Sequence, residues 1–160
     1  MFVPFEELPL ESRIWIYQSS RKFSDEEITE IENDLTDFLT NWAAHGASLE
    51  ASFTIKYNRF VIIAANQEVQ ANTGCSIDAS VAFIQNLEQK YSVDLLDKMN
   101  VAFKQGEFIT YKTLLEFKKL AKEKAVSENT IVFNNLVNTI EEWNENWEVP
   151  ANESWHSRFF

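Results

Sequence analysis

Cysteine, glycine and proline are scarce in this sequence. A single cysteine, Cys75, excludes an internal disulfide and favours a reducing compartment, so we expect a cytoplasmic protein. Three glycines and three prolines in 160 residues argue against a long flexible linker. The longest apolar run, 60–65, is far shorter than the roughly 20 residues that cross a bilayer, and the first residues carry no basic, apolar leader. We therefore expect a soluble protein without membrane insertion.

Motifs that hold phosphates, nucleotides or metals are also missing. A P-loop needs Gly-x-x-x-x-Gly-Lys-Ser/Thr, whereas the three glycines here are followed by Ala47, Cys75 and Glu107. Neither a Gly-x-Gly-x-x-Gly fingerprint nor a Gly-x-Ser-x-Gly elbow occurs. Two histidines and one cysteine, far apart, argue against a zinc site, and no segment has EF-hand spacing. We predict no cofactor and no metal, although the many carboxylates leave a weak calcium or magnesium site open.

The charge of the chain is strongly negative and unevenly spread. The formal net charge is -11, and such a field repels phosphate backbones, so we expect no nucleic acid partner. Residues 24–50 hold eight acids and no Lys or Arg, whereas residues 104–124 hold six Lys and three Glu. This pattern indicates either an acidic face that docks a basic partner or a second copy of the chain, or simply two solvated helix faces.

Hydrophobic periodicity predicts one α+β domain over residues 1–160. The chain is 45% hydrophobic, which is enough to fill a core. Strands are predicted at 13–18, 51–57, 60–65, 101–104, 108–111 and 130–133, and helices are predicted to begin near 24, 74, 114 and 139. The first six elements read βαββαβ, the ferredoxin-like order with helices packed on one face of an antiparallel sheet, before a C-terminal β/α extension. An α+β sandwich with another strand order stays open.

Several local signals fix the ends of these elements. Capping boxes are predicted for Ser24 with Glu27 and for Thr139 with Glu142. Gly46 is expected at the left-handed position that ends the first helix. The run 60–65 is apolar throughout, which predicts a central strand buried on both faces and paired as a hairpin with 51–57.

The segment 74–80 is the strongest candidate site. It places a glycine, a thiol, a hydroxyl and a carboxylate at a predicted helix start, as Gly74, Cys75, Ser76 and Asp78. Unpaired N–H groups and the helix dipole favour an anion there, and they increase the thiolate fraction of a cysteine. If His45 meets Cys75, it is the natural base for a cysteine nucleophile, with Asp78 or Ser76 orienting it. The alternative is structural: Ser76 or Asp78 is the N-cap, Gly74 supplies a turn, and Cys75 fills buried space.

Residues 140–160 form a Trp/Phe-rich C-terminal arm. The arm holds three of the five tryptophans, two phenylalanines and five glutamates. Aromatic side chains at this density must be buried against something. The arm is therefore either a surface that binds a partner or a second copy, or a segment that covers the chain's own sheet with its glutamates exposed to solvent.

Five stretches of the chain carry a resemblance to known sequences. They are residues 12–18, 42–46, 74–78, 131–137 and 146–151. Together they resemble an uncharacterised group of small bacterial proteins, some of which are labelled ABC transporter ATPases. The resemblance implies no catalytic residues. An ABC ATPase needs a Walker A loop, a signature loop and a larger domain, and because this sequence has neither loop we expect no ATP hydrolysis.

With no catalytic signature, the sequence favours a non-catalytic binding or interaction module. The aromatic arm and open sheet edges favour a homodimer or another protein partner. One alternative is a small cysteine-dependent enzyme that uses Cys75 with His45. Another is anion or nucleotide binding without hydrolysis at the helix start, through Gly74, Ser76 and Asp78.

Overall fold

The computed structural model describes residues 1–68 and 70–160. The chain forms two compact units, Met1–Leu96 and Asp97–Phe160, termed unit 1 and unit 2. Each unit combines antiparallel strands with helices, so the predicted α+β class is confirmed. The single domain predicted over residues 1–160 stays a prediction. Among the described helices, none is both long and apolar enough to cross a membrane.

Unit 1 is built on a three-stranded antiparallel sheet. Its elements are β1 (Arg13–Gln18), α1 (Asp25–Asn41), the two-residue strands β2 (Ala43–Ala44) and β3 (Ala47–Ser48), β4 (Ala51–Lys56), β5 (Phe60–Ala65) and α2 (Gly74–Tyr91). The strand order is β1-β5-β4, and β4 and β5 form the predicted hairpin. All six residues of β5 are buried, because this strand pairs on both edges and its apolar side chains fill both faces.

Helices α1 and α2 pack on one face of this sheet. Val61, Ile63 and Ala65 alternate along β5, so their side chains share a face, and they belong to one core cluster with both helices. The buried helix members are Ile31, Leu35, Leu39, Ile84, Leu87 and Tyr91. Ile31, Leu35 and Leu39 recur at helical spacing and therefore form one apolar side of α1. Each large apolar side chain buried here stabilises the fold by about 1.5–3 kcal/mol.

Helix α1 begins at the predicted cap. The Ser24 hydroxyl accepts a hydrogen bond from the Glu27 N–H at 3.1 Å, and the Glu27 carboxylate accepts one from the Ser24 N–H at 2.9 Å. This reciprocal pair confirms the capping box. Arg21 adds two hydrogen bonds of 2.9 Å to the same carboxylate.

The expectation that Gly46 ends helix α1 is wrong. The helix stops at Asn41, and Gly46 lies in the tight turn of the β2–β3 hairpin. Both turn residues have positive φ, 51° at His45 and 76° at Gly46. Two successive residues of this kind match the twist of a two-residue hairpin, which explains why glycine is needed there.

Unit 2 is built on a four-stranded antiparallel sheet. Its elements are β6 (Asn100–Gln105), β7 (Phe108–Thr113), α3 (Leu114–Lys122), β8 (Ile131–Phe133), α4 (Ile140–Asn146) and β9 (Glu148–Pro150), followed by 3-10 turns at Ala151–Glu153 and Trp155–Phe159. The strand order is β7-β6-β8-β9. Phe117 of α3 is fully buried and packs on Phe103 of β6, with ring centroids 5.4 Å apart.

The second predicted capping box forms only in part. The Thr139 hydroxyl accepts from the Glu142 N–H at 3.1 Å and caps α4 as predicted. The Glu142 carboxylate, however, accepts from the Asn138 N–H at 3.4 Å instead of from the Thr139 N–H.

Apart from the short β2–β3 hairpin inserted after α1, the elements follow the order βαββαβ, but the ferredoxin-like sheet is not confirmed. That plan needs one sheet that includes the strand after the second long helix. Here this strand is β6, and it pairs with β7 and β8 in unit 2. The sheet of unit 1 contains β1, β5 and β4 among the described residues. The split arises because β6 finds its partners in the hairpin that follows it.

The C-terminal arm packs on its own unit. Strand β9 adds to the edge of the unit 2 sheet beside β8. Trp147 is 5% exposed and lies against Phe133, with ring centroids 4.9 Å apart. Farther along, Phe159 makes an edge contact with Phe117 at 5.8 Å. The aromatic side chains therefore cover the chain itself, as the second interpretation of the arm expects.

Candidate functional site

An open cleft lies in unit 1 where the last turn of α1, the β2–β3 hairpin and the first turn of α2 meet. Its volume is about 410 Å³. The residues that line it are Asp37, Phe38, Asn41, Trp42, Ala43, His45, Thr73, Cys75, Ser76 and Ala79. This volume is typical of sites that hold small organic molecules. We term it the α1–α2 cleft.

The indole of Trp42 forms the rigid part of the cleft wall. Its Nε1–H donates to the Ser76 carbonyl oxygen at 2.8 Å, and the side chain is almost fully buried. Its ring makes an edge contact with Trp15 at 5.9 Å and a tilted contact with Phe38 at 5.7 Å. Because this hydrogen bond joins the end of α1 to the first turn of α2, it fixes the two walls of the cleft relative to each other.

Thr73, and neither of the residues predicted for this role, caps helix α2. Its hydroxyl accepts from the Ser76 N–H at 3.1 Å, and the Ser76 hydroxyl accepts from the Thr73 N–H at 2.8 Å. The prediction that Ser76 or Asp78 is the N-cap is therefore wrong. A cap needs extended backbone before the first helical residue, and Thr73 has φ -106° and ψ 167°. Ser76 sits three residues later and supplies the returning bond.

Cys75 and His45 both line the α1–α2 cleft, and both are exposed to solvent. The interpretation of Cys75 as a residue that fills buried space is wrong, since its thiol lies on the surface. His45 is carried by the hairpin turn and Cys75 by the first turn of α2. Within the described part of the chain, no hydrogen bond joins the thiol to the imidazole. The arrangement leaves the thiol approachable and places a base in the same cleft.

Of the other residues predicted for this segment, only Ser76 lines the cleft. Ser76 reaches the cleft, but its hydroxyl is occupied by Thr73 and by the Asn72 amide at 3.2 Å. Gly74 is the first residue of α2, outside the left-handed region, and is not part of the cleft lining. Asp78 is exposed and also lies outside the lining.

The residues of α1 that line the cleft were not predicted from the sequence. Asp37 and Asn41 lie one helical turn apart, and so do Phe38 and Trp42. This spacing places the four side chains on adjoining strips of one helix. Helical spacing alone does not show which part of the chain packs opposite these side chains. That depends on contacts between distant residues, such as the hydrogen bond from Trp42 to α2, whose partners are 34 residues apart.

The electrostatics of the cleft favour positive charge. Unit 1 carries 15 acidic and six basic residues. On α1, Glu27 forms an ion pair with Arg21 at 2.9 Å, and Asp34 forms one with Lys90 at 3.2 Å. No described residue forms an ion pair with Asp37. No Lys or Arg is found in the lining that the structure describes. Over residues 1–68 and 70–160, no group of three or more His, Cys, Asp or Glu side chains could hold a metal ion.

Comparison with known proteins gives no relative: no family model, no curated protein and no solved structure matches this chain. The resemblance to small bacterial proteins therefore stays a prediction.

Proposed function

We propose that this protein is a non-catalytic binding module that holds a small organic ligand, or one side chain of a partner, in the α1–α2 cleft. The observation that carries this proposal is the cleft itself, whose lining combines the buried, hydrogen-bonded Trp42 with polar side chains. Sites of this kind bind through an apolar surface and orient the ligand with a few polar groups.

The chemistry of the cleft favours a cationic or zwitterionic ligand. The Asp37 carboxylate and the C-terminal end of α1 attract positive charge. The first turn of α2 lies across the cleft and presents the opposite end of a helix dipole. An amine or an amino acid fits this arrangement. Polyphosphates fit poorly, because the described lining offers no Lys or Arg.

Ligand-detected NMR tests the proposal with a panel of amino acids, primary amines, carboxylic acids and nucleotides. We expect saturation transfer to amines or amino acids and none to nucleotides. The variant Ala79→Trp fills the cleft from an exposed position of α2 and is expected to abolish binding. The matched control is Ala82→Trp, at an exposed position of the same helix outside the lining, which keeps binding.

Two further results decide the test. Asp37→Asn is expected to weaken the binding of amines by about tenfold, because it removes the only carboxylate of the described lining. If no compound binds, or if Ala79→Trp binds as well as the wild type, the cleft is not the binding site.

A second candidate function is thiol chemistry at Cys75. The observation that favours it is the placement of an exposed thiol and an exposed imidazole in one cleft. The first turn of a helix stabilises a thiolate, and a nearby imidazole can remove the proton. The thiolate would then attack an electrophilic carbon or a disulfide sulfur of a substrate in the cleft, so that the bond to Sγ forms as the bond to the substrate's leaving group breaks. The imidazolium of His45 would give its proton to that leaving group.

Alkylation by iodoacetamide discriminates between the two functions, because Cys75 is the only cysteine. A catalytic thiol reacts faster than an ordinary one between about pH 6 and about pH 8, and His45→Gln slows it. The control is the double variant Cys75→Ser/Ala82→Cys, which carries the thiol at an exposed mid-helix position of α2. Equal rates for the two thiols at every pH would remove the enzyme hypothesis.

We also propose that the protein works in the cytoplasm. An exposed cysteine without a disulfide partner supports this, since such a thiol persists in a reducing compartment.

A further inference from the structure

We propose that two copies of this chain associate through a basic surface on unit 2 of one copy and an acidic segment of unit 1 of the other. The proposal does not depend on the α1–α2 cleft. It favours a second copy as the partner of the basic stretch, but it places the acidic contact at residues 6–11 instead of at the acidic stretch 24–50.

The basic surface is formed by Met99 and by Leu115, Lys118, Lys119 and Lys122 of α3. Leu115 is 78% exposed and Met99 is 65% exposed, so both side chains are available to a partner. Met99 lies beside the start of α3, because the Leu114 N–H donates to the Met99 carbonyl oxygen at 3.0 Å. The three lysines follow Leu115 at helical spacings of three, four and seven residues, so they share its side of α3.

The lysines of this surface are largely unneutralised. Lys119 approaches Glu123 at 3.9 Å, with both side chains well exposed. No described carboxylate forms an ion pair with Lys118 or Lys122. The basic surface is thus an exposed apolar centre with positive charge beside it, in a protein whose net charge is -11.

The acidic segment is formed by Glu6, Glu7, Leu10 and Glu11. Leu10 is 51% exposed, and the three glutamates beside it are exposed. In the described structure these glutamates form no ion pairs. The segment is held in place because Leu8 is buried and the Ser12 N–H donates to the Pro9 carbonyl oxygen at 3.0 Å.

The two surfaces complement each other in charge and in apolarity. Leu10 of one copy matches Leu115 and Met99 of the other, and the glutamates match the lysines. A second copy is the occupant that the charges favour, since every copy carries both surfaces. Unit 1, with 15 acids against six bases, is attracted to the stretch 98–124, which holds seven lysines and three glutamates. Exposed ion pairs are screened by salt, so the association is expected to be salt-sensitive.

Sedimentation velocity over a dilution series tests this inference at about 50 mM and about 500 mM salt. We expect the wild type to associate at low salt and to dissociate at high salt. Two charge-reversal variants, Lys118→Glu/Lys122→Glu and Glu6→Lys/Glu7→Lys, are each expected to be monomeric at low salt. Mixed in equal amounts, they are expected to associate with each other, because each carries the charge that the other lost.

The matched control is Glu26→Lys/Glu32→Lys, which changes the net charge by the same amount as Glu6→Lys/Glu7→Lys at exposed positions of α1. This control keeps the wild-type association if the acidic segment is the docking site. A wild type that stays monomeric at low salt overturns the inference, and so does a failure of the mixed variants to associate. Circular dichroism of each variant establishes that it is folded before it is sedimented.

Discussion

The buried imidazole of His156 is expected to make unit 2 sensitive to mild acid. His156 is 1% exposed and stacks on Trp155, with ring centroids 3.8 Å apart. Its Nδ1 is hydrogen-bonded to the Ser154 hydroxyl at 2.7 Å, whereas Nε2 has no hydrogen-bond partner in the described structure. Burial lowers the pKa of His156 from 6.5 to about 4, and the positive charge of Arg158 acts in the same direction.

The sign and size of the effect follow from proton binding. In the unfolded chain the imidazole takes up a proton as the pH falls through about 6.5, while in the folded chain it stays neutral down to about pH 4. The unfolded state therefore binds more protons in this window, and the free energy of unfolding decreases as the pH falls. The full loss is about 3 kcal/mol, of which about 2 kcal/mol is expected between about pH 7.5 and about pH 5.

The perturbation is His156→Phe, which keeps a ring against Trp155 and cannot take up a proton. Urea unfolding at about pH 7.5 and about pH 5 measures the free energy for the wild type and the variant. The wild type is expected to lose about 2 kcal/mol more than the variant, since carboxylates contribute equally to both.

The control is His45→Asn at the exposed turn, which is expected to behave like the wild type. An NMR titration of the His156 ring in the wild type provides a measurement that needs no variant. A midpoint near 6.5 would refute the reasoning, as would equal pH dependence of wild type and His156→Phe.

Three further predictions concern unit 1, each measured by urea unfolding at neutral pH. Gly46→Ala is expected to lower the free energy of unfolding by about 1 kcal/mol, because the φ of Gly46 is 76°. Gly74 lies outside the left-handed region, so Gly74→Ala is expected to be neutral or stabilising. Equal effects of the two substitutions would contradict this. Glu27→Gln weakens the ion pair with Arg21 and costs at most about 1 kcal/mol, whereas exposed Glu26→Gln changes nothing measurable. Ile63→Ala is expected to lower the free energy of unfolding by about 2–5 kcal/mol, because it leaves a cavity in the core. A loss under about 1 kcal/mol would show that neighbouring side chains move to fill the cavity.

Local patterns in the sequence predicted most elements of the fold. Strands 13–18 and 60–65 have the predicted bounds. Each contains four consecutive β-branched or aromatic residues, 14–17 and 60–63, which favour an extended backbone. The first capping box was predicted correctly, since its two hydrogen bonds lie within four residues.

Predictions failed where several residues competed for one role. Three hydroxyl or carboxylate residues near position 75 can each cap a helix, and the backbone selected Thr73. Gly46 suits both a helix end and a hairpin turn, and the pairing of β2 with β3 decided for the turn. Strand β6 joined the sheet of β7, β8 and β9 instead of the sheet of β1, β5 and β4, which strand propensity does not encode.

The candidate site also contains residues that the sequence predicted and residues that it did not. Cys75, Ser76 and His45 were predicted from the sequence, and the structure places all three in one cleft. Asp37 and Asn41 were missed, because on their own helix they are unremarkable exposed polar residues.

The sequence by itself determined what depends on neighbours along the chain: the α+β class, the positions of most strands and helices, the first cap and the negative charge. The tertiary structure alone decided which strands share a sheet, how the aromatic arm packs, and that a cleft opens beside Cys75. The physical reason is range. Propensity and periodicity act over a few residues, whereas the hydrogen bond from Trp42 to Ser76 and the edge pairing of β9 depend on where distant parts of the chain come to lie.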